Sequence, residues 1–570
     1  MKKSWSKILA GALCFALAAC NNDDIATVND GDVENGVYMR FRLELPQTTR
    51  SVTDTGAGDD YVTSNGGIEI GTDNENKVTK GVLVVLTTPD RKFVASSYVR
   101  GTDGTEGADA STYTMGLSET ALRGQAGKEV LVYAFCNPTD DLIEKANKFN
   151  SGELLTVGNA TCKLSGAENI EICTGGKFLM ANAVLLSREL PDSFSGYKTK
   201  ESAYPLGTVK VERAVARFDY KQGPSDSENG DRATATYHVL KNSEGKPMVQ
   251  VQLTDAALLN MSKEFYYLRR TCKQDGNGNA DYTKFDLCGL ETTNNYVVDY
   301  DFDDKISYTG SEDLTGNFFY NLGRFTDNGS SWISGQFDTN SEWKWVKLRD
   351  IINKGENDSN NWQDAPDGID KTGYRVWRYV TENTIPSPRR QMNGISTGIV
   401  FKGHIIATDN NPVVRAAMAQ REPLYVYNNA LYIQSMFADL SENTAVKNEY
   451  NAVMAAAGNG KPTDKMWTDH GFTIYTPNNN GEYEVFYYYW NRHNNNGMPA
   501  EMGIMEFAVV RNNVYKLCVD KISILGHPTD PGKDPDPVDP NEPDENSDVY
   551  FTVSVQVLPW VVRVNSITFD

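Results

Sequence analysis

The segment VYMRFRLEL at residues 37–45 alternates apolar side chains with Tyr, Arg and Glu. Its apolar members are Val37, Met39, Phe41, Leu43 and Leu45. Successive side chains of a β-strand point to opposite faces of a sheet, so this period of two is typical of a strand with one face in a hydrophobic core. Pro46 follows directly. The sequence therefore predicts an amphipathic strand near the N-terminus.

Further β-rich runs follow along the chain, separated by long polar loops. They cover Gly81–Thr87, Val130–Cys136, Val209–Tyr220, Met248–Leu253, Ile399–Ile406, Leu424–Ile433, Glu484–Trp490 and Val514–Leu525. Apolar spacing nearer to 3.6 predicts helices over Asp140–Phe149, Thr254–Leu268 and Leu440–Ala457, and residues 340–395 are expected to form loops. Many short strands with few helices predict an all-β fold with minor helices and a β-sandwich architecture.

The length and charge of the chain limit the number of domains and the kinds of partner that are expected. The chain has 570 residues, which predicts more than one domain. Its 76 acidic and 55 basic residues give a formal net charge of -21. Proteins hold a phosphate backbone mainly through Lys and Arg, so nucleic acid is not expected as a partner.

The N-terminus has the features of an export signal. Residues 1–19 combine a lysine-containing start with an apolar stretch that is too short for an ordinary membrane helix of about 20 residues. The sequence LAAC at 17–20 resembles a bacterial lipobox, which implies cleavage before Cys20 and acylation of its thiol. Acidic residues follow at Asp23 and Asp24, and such a patch resembles the surface-export signal of Bacteroidetes lipoproteins. Apart from this lipid, no contact with a membrane is expected.

A basic residue stands where the first strand gives way to a polar loop. Arg50 and Ser51 open a segment rich in Gly, Asp, Ser and Thr that extends to about residue 65. Such segments are exposed and sensitive to proteases. A cut after Arg50 would separate strand 37–45 from the rest of its domain.

The C-terminus carries a second apolar strand behind a spacer. Residues 527–548 contain six Pro and eight acidic residues, so residues 528–548 are expected to be an extended spacer. The arm at 549–570 is again apolar, and its candidate donor residues are Phe551, Val553, Val555, Val557, Val562, Val564, Ile567 and Phe569. Two donors stay open: the strand at Phe551–Val557, or the last ten residues if Val553–Trp560 complete their own domain.

Together the two ends suggest strand addition between chains. Excision of strand 37–45 would leave a groove with unpaired backbone, and the arm of a neighbouring subunit could fill it. A contact from the tail of one subunit to the head of the next does not close on itself and generates a fibre.

Several segments, in this order, resemble the Bacteroidales fimbrillins, most closely shaft subunits of the short fimbriae of Porphyromonas-type bacteria. They are the lipobox, LPQTTR at 45–50, KVERAVARFDY at 210–220, VQLTDAALLNMSKEFYYL at 251–268, VFYYYWNR at 485–492, RNNVYKLCVDKISILGHP at 511–528 and VSVQVLPW at 553–560. The resemblance implies two transthyretin-like β-sandwiches in tandem. It also implies that an Arg-specific surface protease cleaves the lipidated precursor after Arg50 and that donor-strand exchange then builds a shaft.

The resemblance sets the expected domains and partners. The domains are a signal peptide at 1–19, a lipidated propeptide at 20–50, an N-terminal sandwich at 51–207 and a C-terminal sandwich at 208–570. The expected partners are further copies of the chain, anchor and tip subunits, the protease, and host or bacterial surface receptors. The precursor is expected at the outer membrane and the mature chain in a surface fimbrium, with roles in adhesion and colonisation.

Six cysteines are left once the signal is removed and Cys20 is acylated. An even number in an exported protein permits disulfides. The pairs near enough in sequence are Cys162 with Cys173 and Cys272 with Cys288, although spacing alone does not fix the connectivity.

No enzyme or cofactor is expected. The motif GISTG at 394–398 lacks the helix that a nucleophilic Ser396 requires, since a predicted strand follows it. The acidic loop that contains Asp281 and Asp286 has Ala280 where a calcium loop needs Gly, so a hairpin closed by Cys272 and Cys288 is favoured.

The alternative function is a surface glycan-binding lipoprotein with Phe486–Trp490 as its sugar platform, although alternation within a strand favours a core position for half of that run. Such a protein would need neither a cleavable first strand nor a terminal arm.

Overall fold

The structure is a computed structural model of the full chain. It describes residues 33, 35–44, 61–62, 69–70, 73–100, 112–149, 152, 160–165, 171–173, 177–224, 226–274, 280–288, 295–300, 317–320, 323–325, 332–334, 345–353, 374–385, 395–493, 503, 505–528 and 551–561.

Strands dominate the described residues. In chain order they are β1 Gly36–Glu44, β2 Tyr61–Val62, β3 Glu69–Ile70, β4 Gly81–Thr87, β5 Phe93–Arg100, β6 Thr112–Ser118, β7 Glu129–Cys136, β8 Thr161–Lys163, β9 Met180–Asn182, β10 Leu186–Glu189, β11 Tyr204–Arg213, β12 Val215–Lys221, β13 Gly230–Asp231, β14 Thr236–Lys241, β15 Pro247–Leu259, β16 Met261–Ser262, β17 Glu264–Tyr266, β18 Arg270–Gln274, β19 Ala280–Leu287, β20 Asn295–Val297, β21 Phe318–Phe319, β22 Gly323–Phe325, β23 Trp332–Ser334, β24 Val346–Lys347, β25 Arg375–Thr381, β26 Gly398–Ala407, β27 Leu424–Tyr427, β28 Ala430–Ile433, β29 Thr473–Tyr475, β30 Glu484–Trp490, β31 Asn513–Ile522 and β32 Phe551–Val561. The helices are α1 Asp140–Ala146, α2 Leu348–Ile352, α3 Pro412–Ala419, α4 Met436–Asp439, α5 Ala445–Ala457 and α6 Asp464–Thr468. Within the described ranges, no helix has the length and apolar character needed to cross a membrane.

The N-terminal half is built from one sheet that curves around its own core. Hydrogen-bonded neighbours follow the order β5-β4-β7-β9-β11-β1-β6, and β10 also pairs with β7. Val94 of β5 and Met115 of β6 belong to one hydrophobic cluster although their strands lie at opposite ends of the sheet. The sheet must therefore bend until its two ends approach each other and enclose the apolar side chains.

Strand β1 lies inside this sheet, paired on both edges. It is antiparallel to β6, with Val37 opposite Leu117, and parallel to β11, with Leu43 opposite Val209. The predicted apolar face is buried, since Val37 and Met39 are 0 % exposed, Phe41 1 % and Leu43 8 %. The alternation at 37–45 therefore indicated a real strand, and Leu45 lies just outside the described residues.

The C-terminal half is a sandwich of two sheets. One sheet has the order β2-β32-β31-β12-β25, with β3 also paired to β32, and the other has the order β13-β14-β15-β26-β30, with β24 paired to β15. Phe218 and Tyr515 of the first sheet share a core with Val251 and Phe401 of the second. The predicted all-β class, with few helices and two β-sandwich domains in tandem, is confirmed.

A helical segment is inserted between two neighbouring strands of this sandwich. Strands β26 and β30 are antiparallel partners, and α3 to α6 with the small sheet β28-β27-β29 lie between them in sequence. The segment has its own aromatic cluster, in which Phe437 stacks on Tyr450 with ring centroids 4.4 Å apart. The predicted helix over Leu440–Ala457 is found here as α5.

The helix predicted over Thr254–Leu268 is wrong. Thr254 to Leu259 continue β15, which pairs with β26 through Leu259 opposite Gly398. Ala256 and Leu258 face the main core, and Ala257 and Leu259 face a second cluster, so both sides of the strand are buried. A strand buried on both faces loses its alternation, and its apolar run then cannot be told from a helix by periodicity. Residues 340–395, expected as loops, include α2 and β25.

The chain changes sheets at Ala214. Strand β11 spans the expected domain boundary at 207/208 and belongs to the N-terminal sheet, where it pairs with β1 and β9. Strand β12 begins at Val215 and pairs with β25 and β31 of the C-terminal half. The two halves are therefore joined at this point by a single residue between two strands.

Glu212 is buried where the two halves meet. Its Oε1 lies 3.3 Å from Nε of Arg269, and neither side chain is more than 2 % exposed. Burial raises the pKa of Glu212 to about 7, against the attraction of Arg269 and Arg511. The native state therefore holds a proton on Glu212 over a pH range in which the unfolded chain has lost it.

We expect Phe41→Ala to destabilise a chain that retains β1 by about 3–5 kcal/mol, because it leaves a cavity in the N-terminal core. Urea unfolding of the full-length protein measures the effect. Arg42→Ala is the matched control, since this neighbour on β1 is exposed and its loss should change stability by no more than about 0.5 kcal/mol. Equal unfolding midpoints for the two variants would show that β1 is not packed as described.

A second prediction concerns pH. Because the native state binds the Glu212 proton more tightly than the unfolded state, this group should lower the free energy of unfolding as pH rises from about 4.5 to about 7. The melting temperature of the wild type relative to Glu212→Gln should therefore be higher at about pH 5.5 than at about pH 8. Glu119→Gln, which alters an exposed ion pair with Lys198, should show no such trend. If the melting temperatures of the wild type and Glu212→Gln differ by the same amount at both pH values, the raised pKa of Glu212 is contradicted.

Candidate strand-exchange site

The groove that holds β1 is formed by β6 on one side and β11 on the other. The ladder to β6 extends from Gly36 opposite Ser118 to Arg42 opposite Thr112, and the ladder to β11 continues to Glu44 opposite Lys210. Phe41 also stacks on Tyr113 of β6, with ring centroids 5.6 Å apart. Removal of β1 would therefore expose two strand edges and the apolar floor between them.

The start of β1 is held by local contacts. The Tyr38 hydroxyl accepts a hydrogen bond from the Val33 amide at 3.1 Å, and the Tyr38 amide donates to the carbonyl of Tyr197 at 2.8 Å. A Cβ built on Gly116 would approach the Val33 side chain to 2.8 Å. Only a residue without a side chain fits at this point of β6, so the entrance to the groove is closely packed.

The outer face of β1 contributes little beyond these contacts. Arg40 donates from Nη2 to the carbonyls of Lys200 and Glu201, both at 3.3 Å and both exposed. Exposed hydrogen bonds of this kind contribute modestly to stability. The strand is therefore held mainly by its two backbone ladders and its apolar face.

Three processing residues lie outside the described residues: Cys20, Arg50 and Ser51. The chain connects β1, which ends at Glu44, to β2, which begins at Tyr61, through residues 45–60. Arg50 thus lies on the connection between a strand of the N-terminal sheet and a strand that pairs in the C-terminal half.

The C-terminal strand pairs within its own chain. Strand β32 is antiparallel to β31, from Ile522 opposite Phe551 to Asn513 opposite Pro559. The backbone positions of Val553, Val555 and Val557 lie within this ladder. The arrangement is the one in which residues 553–560 complete their own domain, and Val562, Val564, Ile567 and Phe569 lie outside the described residues.

Sequence reasoning did not find two short strands on the other edge of β32. Tyr61 and Val62 of β2 pair in parallel with Val555 and Gln556, and Ile70 of β3 pairs with Val561. The loop expected from Ser51 to about residue 65 therefore contains a strand residue pair at 61–62. Its β-prone Tyr-Val dipeptide was the only local signal, and two residues are too few to show a period.

The predicted disulfides are wrong. No disulfide joins the six cysteines of the described residues, and all six are buried: Cys136, Cys162, Cys173, Cys272, Cys288 and Cys518. Cys272 packs in a cluster with Tyr296 and Ile385, whereas Cys288 belongs to the main core, so the two side chains face different surroundings.

Cys162 and Cys173 also have separate environments. Cys162 lies in β8 opposite Phe265, and burial raises the pKa of its thiol to about 11. Cys173 ends a short 3-10 turn, where burial raises the pKa of its thiol and the charge of Arg378 opposes the shift. Both cysteines act as small core residues, which is a common role for free Cys.

The other candidate sites do not form reactive groups. Ser396 is 0 % exposed, its carbonyl accepts a hydrogen bond from Asn260 Nδ2 at 2.8 Å, and strand β26 begins two residues later. Strands β18 and β19 form the predicted hairpin, with Asp281 and Asp286 in β19 and the loop at 275–279 outside the described residues. Among the side chains that the structure places, no three His, Cys, Asp or Glu residues form a metal-binding group.

The aromatic run on β30 is part of the core. Tyr487 and Tyr489 face the main core, and Phe486 and Trp490 face a second cluster. Tyr488 is only partly buried and packs against that second cluster. A sugar platform needs exposed ring faces, and four of these five rings are less than 9 % exposed.

The C-terminal segment matches a known family. Residues 480–566 match the model of the C-terminal domain of fimbrillin, described as the major fimbrial subunit protein type IV. The match begins just before β30 and includes β31 and β32. No curated protein matches the chain at a significant level.

Three of the solved structures that match the chain have low sequence identity to it. A fimbrilin (FimA) of Porphyromonas gingivalis has 13 % identity and a TM-score of 0.36, covering 93 % of this chain and 99 % of its own. The tip fimbrial protein Mfa3 of the same species, truncated at its C-terminus, has 10 % identity and a TM-score of 0.34, covering 92 % and 100 %. A protein of Parabacteroides distasonis assigned to cell adhesion has 12 % identity and a TM-score of 0.38, covering 92 % and 100 %.

The family match includes β31 and β32 of one sheet of the C-terminal sandwich and the aromatic strand β30 of the other sheet. It contains three of the segments that carried the resemblance in the sequence: VFYYYWNR, RNNVYKLCVDKISILGHP and VSVQVLPW. The resemblance to the Bacteroidales fimbrillins is therefore confirmed by the match of residues 480–566 to the fimbrillin C-terminal family model.

Proposed function

We propose that this chain is a shaft subunit of a surface fimbria, polymerised by donor-strand exchange. The observation that carries the proposal is the position of β1: it is paired on both edges, buried on one face, and connected to the rest of the chain through a segment that contains Arg50. The precursor is acylated on Cys20 and cleaved between Arg50 and Ser51, and β1 is then released.

Energetics explain why the groove must be refilled. Each of the four apolar side chains that β1 contributes to the N-terminal core is worth roughly 1.5–3 kcal/mol on burial, so the loss of all four removes about 6–12 kcal/mol of apolar stabilisation. The freed edges of β6 and β11 would also present unpaired N–H and C=O groups, which readily pair with another strand. A neighbouring subunit that supplies an apolar strand satisfies both requirements at once.

The pairing of β32 supports a choice of donor. Since residues 551–559 already pair with β31 of their own chain and Trp560 and Val561 pair with β3, we assign donation to residues 562–570, with Val562, Val564, Ile567 and Phe569 as the apolar positions. The acidic, proline-rich residues 528–548 then serve as the long connection from β31 back to β32. A strand fixed in the C-terminal sandwich positions the donor directly beyond the subunit's own sheet.

The fimbrial assignment places the chain among several partners. They are identical subunits in the shaft, anchor and tip subunits at its ends, an Arg-specific surface protease, and receptors on host or bacterial surfaces. The precursor is held on the outer membrane by its lipid, and the mature subunit lies in the fimbrium, where it supports adhesion and colonisation. The family match, with its description as a fimbrial subunit, supports this assignment.

Arg50→Ala should block assembly. The uncleaved chain retains β1, the groove stays filled, and the protein should remain lipidated and monomeric. Electron microscopy of the cell surface and the intact mass of the extracted protein test this expectation. Arg123→Ala, at an exposed position of the N-terminal half, is the control and should assemble normally. Fibres of normal length from Arg50→Ala would refute the cleavage step.

Deletion of residues 562–570 should abolish polymers and leave the monomer folded, because β32 still pairs with β31. Circular dichroism and size-exclusion chromatography of the truncated protein measure the two effects separately. If this truncation still polymerises while the double variant Val553→Asp/Val555→Asp does not, the donor lies upstream.

A larger truncation tests the functional class itself. Normal fibres after removal of all of 549–570 would be incompatible with a shaft subunit. That result would favour the alternative, a surface glycan-binding lipoprotein.

A further inference from the structure

Downstream of residue 60, the chain passes between the two halves at two places. The first crossing lies between β3, which pairs with β32 in the C-terminal half, and β4 of the N-terminal sheet. The second lies at Ala214, between β11 and β12. Domains joined by one linker with few contacts move relative to each other by default. Here the side chains of the two crossings are bonded to one another.

Glu75 lies in the first crossing and reaches into the C-terminal half. Its two carboxylate oxygens accept hydrogen bonds from Nη1 of Arg217, both at 3.1 Å, and Oε1 accepts a third from the Tyr379 hydroxyl at 2.6 Å. Arg217 also donates to both carboxylate oxygens of Asp219, at 2.8 Å each. Glu75, Arg217 and Asp219 are all 0 % exposed.

Arg213 lies at the end of β11, in the second crossing, and binds the first. Its Nε donates to the carbonyl of Glu75 at 3.1 Å, and Nη2 donates to the side chain of Asn76. Its Nη1 donates to Oδ1 of Asn512 in the C-terminal half at 3.2 Å. Arg213 therefore joins the two crossings to each other and to the segment before β31.

Glu212, the residue before Arg213, makes a second contact between the halves. Glu212 pairs with Arg269, whose Nη2 also donates to the carbonyl of Ala183 in the N-terminal half at 3.3 Å. The end of β11 therefore contacts the C-terminal half through two consecutive residues, Glu212 and Arg213.

We propose that Glu75, Asn76, Arg213, Arg217, Tyr379 and Asn512, which we call the junction cluster, hold the two halves in one fixed orientation. A rotation of one half against the other would separate buried charges from their partners. An unpaired buried charge is far more costly than an exposed one, because the interior screens it poorly and supplies no water to replace the lost hydrogen bonds. The polar contacts thus act together with the β8–β17 ladder and with the apolar core that the two halves share.

The cluster is independent of the first strand. Glu75 and Asn76 follow Arg50 in sequence, so the junction cluster stays in the chain whether or not residues 1–50 are removed. The inference concerns the isolated chain and does not rest on the proposed function. It implies that the subunit has the same interdomain geometry before and after any processing at the N-terminus.

Distance measurements between the two halves test the proposal. Spin labels are attached to Arg123→Cys in the N-terminal half and Ser243→Cys in the C-terminal half, both exposed positions, in a chain that also carries Cys14→Ser and Cys20→Ser; the six cysteines of the described residues are buried. The otherwise wild-type chain should give one narrow distance distribution. Glu75→Gln should broaden it about two-fold or more, because the amide replaces the charge that Arg217 and Tyr379 bind. The control Glu119→Gln should leave the width unchanged.

Two results would overturn the proposal. The first is a Glu75→Gln protein with wild-type circular dichroism and a distribution of wild-type width. The second applies if Glu75→Gln does not fold: Tyr379→Phe, which removes one hydrogen bond and keeps the ring packed on Phe178, then decides. A broader distribution in Tyr379→Phe supports the cluster, and an unchanged one refutes it.

Discussion

Backbone pairing on both edges of β1 is the constraint on which the N-terminal half depends. A strand inside a sheet satisfies its neighbours' hydrogen bonds as well as its own, and β1 does so for β6 and β11 at once. The curved sheet is closed around its core only when this position is occupied. Any event that removes β1 therefore creates a requirement for another strand with the same apolar face.

The C-terminal half differs from the N-terminal half in the origin of the strand that completes its sheet. Its outer sheet is completed by β32 from the end of the chain, and the edge of β32 is in turn partly covered by β2 and β3. The N-terminal region of the chain thus contributes strands to both halves: β1 to the first sheet, and β2 and β3 to the sheet of the second. A single segment, residues 45–60, connects these two roles, and it contains the arginine at which we propose cleavage.

Polar contacts of the junction cluster also join the two halves. A fibre made of two-domain subunits transmits force through each interdomain junction as well as through each exchanged strand. The junction cluster places buried charged groups on both chain crossings, so a change of orientation breaks several bonds together. In such a subunit, the exchanged strand and the domain junction together fix the geometry of the repeat.

The first strand was found correctly from sequence because its pattern is local. Val37, Met39, Phe41 and Leu43 face one core while the outer face of the strand carries arginines, and a half-buried strand shows this difference directly in its alternation. The second part of strand β15 was wrongly predicted as a helix, because Ala256 to Leu259 are buried on both faces of the strand and show no alternation. The disulfides were wrongly predicted for a related reason. Nearness in sequence places Cys272 and Cys288 on the same hairpin but does not determine which hydrophobic cluster each side chain faces.

The sequence by itself determined the all-β class, the amphipathic first strand and the terminal apolar strand, because each depends on composition or on a short period along the chain. Only the tertiary structure decided that β1 lies between β6 and β11, that β32 returns to its own sheet, and that Glu75 meets Arg217 and Tyr379. These are contacts between residues tens to hundreds of positions apart. Their partners are selected by how the sheets curve and pack, and no local pattern records that choice.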